Sequence, residues 1–124
     1  MNSHGDEEPL RWATEYFALL DRRATDDLLN RMTDDVTVIH GNNPPIQGHA
    51  NVRASMTMQG GPIKSISHQV IGAWRAPDRV IAEWSGTYEF ADGRIVVRSG
   101  VNFFHLDPDD KIRLCQIFMD NSAP

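Results

Sequence analysis

Hydrophobic positions follow two periods along this chain, and the change of period divides it. Trp12, Ala13, Tyr16, Phe17, Leu19 and Leu20 recur at three- and four-residue spacing behind Pro9, which predicts a first helix whose apolar face includes Tyr16. Thr25 reads as the N-cap of a second helix, with Asp26 and Asp27 in its first turn. Leu28, Leu29 and Met32 form that helix's buried stripe, and Asp34-Asp35 closes it. Val36 to His40 then reads as a strand. Asn42-Asn43-Pro44-Pro45 cannot extend it, because two prolines remove donors and fix φ. A third, short helix is predicted from about His49 to Met58, stopped by Gly60-Gly61-Pro62.

From Ser65 onward the period is two. Strands are predicted over about 65 to 75, 79 to 90, 94 to 106 and 111 to 119. Asp92-Gly93 is a hairpin signal, and Ala76-Pro77-Asp78 and Asp107-Pro108-Asp109-Asp110 mark the neighbouring turns, so the four strands form an antiparallel meander. Val80, Ala82, Trp84, Gly86, Tyr88 and Phe90 alternate with polar neighbours and face inward. In the following strand Val96, Arg98, Gly100, Asn102, Phe104 and Leu106 form one face, and Ile95, Val97, Val101 and Phe103 the other. A strand apolar on both faces needs a second cover, and a second copy of the chain supplies it, so a homodimer through the sheet is expected.

Composition narrows the functional classes. At 124 residues and 40% hydrophobic content the chain suits one domain with one core. Twelve basic residues scattered among 17 acidic ones, for a net charge of −5, argue against a nucleic-acid partner. No apolar stretch is long enough to span a bilayer, and Met1 to Glu8 is too polar for a secretory signal, so no membrane association and a cytoplasmic location are expected, with the first six residues as a tail. The single cysteine, Cys115, reads as a small buried strand residue. The five histidines show no metal-ligand spacing, and no phosphate loop or dinucleotide fingerprint is present, so neither metal nor cofactor is expected.

Glu15-Tyr16, Asp34-Asp35-Val36-Thr37-Val38, Pro45-Ile46-Gln47-Gly48 and Lys111-Ile112, within this order of elements, resemble the nuclear transport factor 2-like superfamily, in particular its SnoaL-like polyketide cyclases and ketosteroid isomerases. The resemblance implies an α+β fold: a cone-shaped, curved antiparallel sheet covered by three N-terminal helices, a cystatin-like α+β barrel. By the same likeness Tyr16 occupies the place of the oxyanion-hole tyrosine. His40 stands where the isomerases keep an aspartate base, and Asn102 where they keep a protonated aspartic acid. Their supporting tyrosines correspond to Met32 and Met56, and an indole of their pocket to Met119. Asp120 falls where many SnoaL-like proteins have an aspartate that some cyclases use as a base, and Arg98 faces the same interior.

These residues assemble a chemistry. A neutral imidazole at His40 can take a proton α to a carbonyl, while Tyr16 and Asn102 donate hydrogen bonds to the enolate oxygen. Asp120 is a further catalytic candidate, and Met32, Met56, Trp84, Arg98, Phe104 and Met119 are candidate substrate contacts in an apolar pocket entered beside the His40 to Gly48 loop. The expected function is cofactor-independent enolisation of a small hydrophobic carbonyl compound. The alternative is a ligand-binding or dimerisation domain that uses the same pocket without chemistry.

Overall fold

The computed structural model describes residues 7–120, so the polar tail expected at positions 1–6 lies outside the described residues. Helix α1, Glu7–Asp21, buries Pro9, Ala13, Tyr16 and Phe17, the three- and four-residue spacing of one face. Helix α2, Thr25–Asn30, buries Leu28 and Leu29. Thr25 is its first helical residue and not its cap; Ala24 holds that place and makes no side-chain capping bond.

The second helix stops short of Met32, which opens strand β1, Met32–His40. Met32 and Val36 are four residues apart, a spacing that suits one face of a helix and one face of a strand equally. The strand prevails because Met32 finds a partner in Ile112 of the last strand, while Asp34 and Asp35 lie exposed where the register shifts. Strand β2, Ile46–Gln47, leads into helix α3, His49–Gly60. The meander then follows as β3 (Ile63–Ala76), β4 (Arg79–Phe90), β5 (Ile95–Leu106) and β6 (Ile112–Met119). Gly93, at φ +93°, makes the β4–β5 turn that Asp92-Gly93 signals.

The strands form one unclosed sheet in the order β2-β1-β6-β5-β4-β3. All neighbours are antiparallel except β1 and β6, so the sheet is mixed and not wholly antiparallel as expected. The exception has a simple cause: α3 and four strands separate β1 from β6, a crossover long enough for a parallel pair. A bulge between Val70 and Gly72 leaves Ile71 as the extra residue of β3 and shifts its inward parity, so Ala73 is buried and Trp74 exposed.

The core lies between the helices and the inward face of the sheet. Phe104 sits at its centre, edge-on to Trp12 and Tyr16 at 4.9 and 4.8 Å between ring centres. The opposite face carries Trp74, Ile95, Val97 and Phe118, all exposed, with Val97 56% and Ile95 66% accessible. Among the described residues no helix is long and apolar enough to cross a membrane.

Gly100 is a packing requirement. A Cβ there would stand 2.3 Å from the Trp84 ring and 2.8 Å from the Phe118 carbonyl oxygen, which as backbone cannot step aside. Gly100→Ala is expected to destabilise the fold by about 2–3 kcal/mol in chemical denaturation and to shift Trp84 fluorescence, as overpacked cores do. Gly60→Ala, with no atom within 4 Å of the added carbon, serves as the control and should change stability little.

Candidate active site

Between the helices and the sheet lies a cavity of ≈ 570 Å³, a volume that suits a small organic ligand. Its exposed lining residues, Arg23, Thr57, Gln59 and Gly61, frame a mouth between the α1–α2 turn and the C-terminal half of α3. The expected entrance beside the His40 to Gly48 loop is not where the wall opens, since of that segment only His40 and Ile46 line the cavity and both are half-buried. Met32, Met56, Ile66, Ile117 and Met119 supply apolar wall. Against it stand polar groups in two places.

The first place holds Tyr16, Asn102 and His40. Strand pairing sets His40 and Asn102 on either side of Ile117 in one row across the sheet, so all three side chains share the inward face. Asn102 is 2% exposed, and its Oδ1 accepts the Trp84 indole N–H at 2.9 Å. An indole nitrogen only donates, which identifies the amide oxygen and leaves Nδ2 as the donor, 3.9 Å from Cys115 Sγ. The Tyr16 hydroxyl is close enough to the same sulfur for each group to shift the other's pKa. Phenol and carboxamide therefore converge on one point. Burial, reinforced by Cys115, pushes the Tyr16 hydroxyl well above its ordinary pKa, with Arg31 opposing, so it remains a neutral donor. Burial also pushes the Cys115 thiol up to about 12, so it is no nucleophile. His40 is pushed down by burial, and its ring finds no hydrogen-bond partner among the described residues.

The second place was not anticipated. Asp21, the last residue of α1, accepts two hydrogen bonds from His68: the backbone N–H at 2.6 Å and ring Nδ1 at 2.6 Å. His68 Nε2 lies 3.2 Å from Tyr88 Oη, and Arg98 is close enough for its charge to lower the Tyr88 pKa against the burial that pushes it up to about 12. His68, Tyr88 and Arg98 all line the cavity. Gly86 lies beneath them, where a Cβ would approach Tyr88 Oη to 3.0 Å and the His68 ring to 3.1 Å. The signal for His68 was present in the alternation of β3, where Ile66, His68 and Val70 are half-buried between exposed Ser65, Ser67 and Gln69. Nothing local marked Asp21 as its partner, 47 residues away.

Of the residues singled out from the sequence, Tyr16, His40, Asn102, Met32, Met56, Trp84, Arg98 and Met119 line the cavity. Phe104 does not. It is wholly buried in the core behind Tyr16, so it supports the wall without forming it. Asp120 is likewise apart from the lining: it follows the last residue of β6, is exposed, and its N–H donates to the Ser99 carbonyl at 2.8 Å.

The SnoaL-like domain matches residues 13–114, from α1 into β6. No curated protein sequence matches the chain. Solved structures share the fold at low identity. An NTF2-like protein of unknown function from Exiguobacterium sp. 255-15 is 23% identical, with 89% of this chain and 98% of that one covered at a TM-score of 0.77. The epoxide hydrolase/cyclase-like enzyme SalBIII, described in pyran ring formation in the polyether salinomycin, is 15% identical over 94% and 93% of the two chains at 0.80. An LEH-like epoxide hydrolase of M. tuberculosis is 16% identical over 91% and 83% at 0.76. With that fold, and a family match across most of its length, the chain belongs to the SnoaL-like domain family.

Proposed function

We propose that this protein is a cofactor-independent enzyme that removes a proton α to the carbonyl of a small hydrophobic compound and holds the resulting enolate, the step shared by isomerases, cyclases and dehydratases. The observation that carries the reading is the approach of the Tyr16 hydroxyl and the Asn102 carboxamide to the buried Cys115 sulfur, both side chains lining a largely apolar cavity that His40 also lines. Two donors that converge on a weak acceptor such as sulfur lose little when a carbonyl oxygen replaces it, and gain as that oxygen becomes an enolate. The Trp84 bond holds the amide in the donating orientation before substrate arrives.

His40 acts as the base. Its lowered pKa keeps the ring neutral at pH 7 and able to accept a proton. Met32, Met56 and Met119 exclude water and bind apolar substrate surface. Solved structures of the same fold that are described as an epoxide hydrolase and an epoxide hydrolase/cyclase-like enzyme support small-molecule chemistry in this cavity.

The test is exchange of α-protons of aromatic and alicyclic ketones in deuterium oxide, followed by mass spectrometry. Exchange is expected with the wild-type protein, reduced about 100-fold or more in Tyr16→Phe and in Asn102→Leu, as for loss of one oxyanion donor. Ketones that bind in the cavity without exchange would instead support a binding domain. The His40 ring should titrate below the ordinary histidine value of about 6.5 in NMR. Its folded-state pKa is depressed, so the unfolded chain takes the proton first. The stability that His40 contributes is complete above about pH 6.5 and declines as pH falls through the folded pKa. His40→Gln should flatten that decline.

The outer face of the sheet is read as the contact between two copies of the chain. Trp74, Ile95, Val97 and Phe118 expose apolar surface on the face opposite the cavity, so self-association leaves the mouth clear. Sedimentation equilibrium should give a dimer and Phe118→Glu a monomer; a monomeric wild-type protein at high concentration would contradict this.

A further inference from the structure

The enolisation proposed above leaves the Asp21, His68, Tyr88 and Arg98 group without a task, although three of the four line the same cavity. A carboxylate only accepts hydrogen bonds, so the Asp21 contact at 2.6 Å requires a proton on His68 Nδ1. In the neutral ring Nε2 then carries the lone pair and accepts the Tyr88 hydroxyl at 3.2 Å. The side chain of His68 is 3% exposed and is clamped by Phe17 at 4.8 Å and Trp84 at 4.9 Å between ring centres, so it cannot turn away from the cavity. An imidazole held this way, with a carboxylate behind it, is poised to gain a proton and not to lose one: the imidazolium would be paired at once. His40 has no such carboxylate.

We propose that this end of the cavity takes an acidic hydroxyl of the ligand, a phenol or the enol of a 1,3-dicarbonyl, and removes its proton. The ligand hydroxyl displaces Tyr88 as the donor to His68 Nε2; its O–H bond breaks as an N–H bond forms. The oxyanion is then held by the released Tyr88 hydroxyl and the Arg98 guanidinium, and Asp21 balances the imidazolium. Because the proton remains in the site, its total charge does not change. An imported carboxylate would instead add a charge to a buried wall and face Asp21. Asp21 is the positioning residue, and Gly86 gives His68 and Tyr88 room to meet. This rests on the reading of the cavity as a substrate site, and it names the substrate class: a carbonyl compound that carries a second, acidic hydroxyl.

The probe is 4-nitrophenol, whose absorbance separates phenol from phenolate, in buffer below its own pKa. Wild-type protein is expected to raise the phenolate band on binding. His68→Gln should bind the neutral phenol only. Arg98→Met should weaken binding about 10-fold or more, the weight of one charge-assisted hydrogen bond. Asp21→Asn should lower the phenolate fraction at saturation, which a merely structural role would not move. Tyr88→Phe keeps the Asp21–His68 pair and should weaken the band, so the test survives if a His68 variant fails to fold. The proposal is overturned if wild-type protein binds no phenol or binds it neutral, or if the band persists in His68→Gln and disappears in Tyr16→Phe. A retained band without ketone exchange would sink the enolisation reading alone; exchange without a band would sink this one alone.

Discussion

The cavity is organised around one side chain, Trp84. Its indole lies across Gly100, where no Cβ fits, and donates to Asn102 on the neighbouring strand at 2.9 Å. Each partner is the other's reason for being buried. Without the indole the amide oxygen would be a buried acceptor with nothing to accept, at a cost of about 1–3 kcal/mol. The bond sets the amide, and the ring's far side sets His68, edge-on at 4.9 Å. Both polar places in the cavity are thus referenced to the same ring, and a disturbance of Gly100 or Trp84 reaches both.

Helix α1 supplies the second reference. Tyr16 and Asp21 are five residues apart, so about 7.5 Å separates them along the helix axis. One serves the Asn102 end of the cavity and the other serves His68. Phe17, between them, packs against both His68 and Trp84. A single helix docked on the curved sheet thereby spaces two sets of donors along an apolar cavity. The helix therefore sets the length of ligand that can engage both.

Much of this is legible in the sequence. The strict alternation from Val80 to Phe90 and the Asp92-Gly93 turn placed the meander, and parity alone put Asn102 and Arg98 on the inward face. Met32 was misassigned because its spacing to Val36 serves either period; only the distant Ile112 decides between them. The parallel pairing of β1 with β6 was hidden for the same reason, since it joins segments far apart in the chain. His68 carried the inward parity of its strand, yet its chemistry depends on Asp21 and Tyr88, and no local spacing connects the three. Asp120 shows the converse: a residue type suggestive of chemistry that lies exposed past the end of β6 and does not line the cavity.

The central claim is that donors from α1, β4 and β5 meet a ligand inside this cavity. A crystal structure with a bound hydroxylated aromatic ketone tests it most directly. The expected result places the ketone oxygen within hydrogen-bond distance of Tyr16 Oη and Asn102 Nδ2, with the ring between Met56 and Met119. A ligand on the outer face of the sheet, or one seated in the cavity with its carbonyl turned to the mouth beside Gln59, would contradict the account.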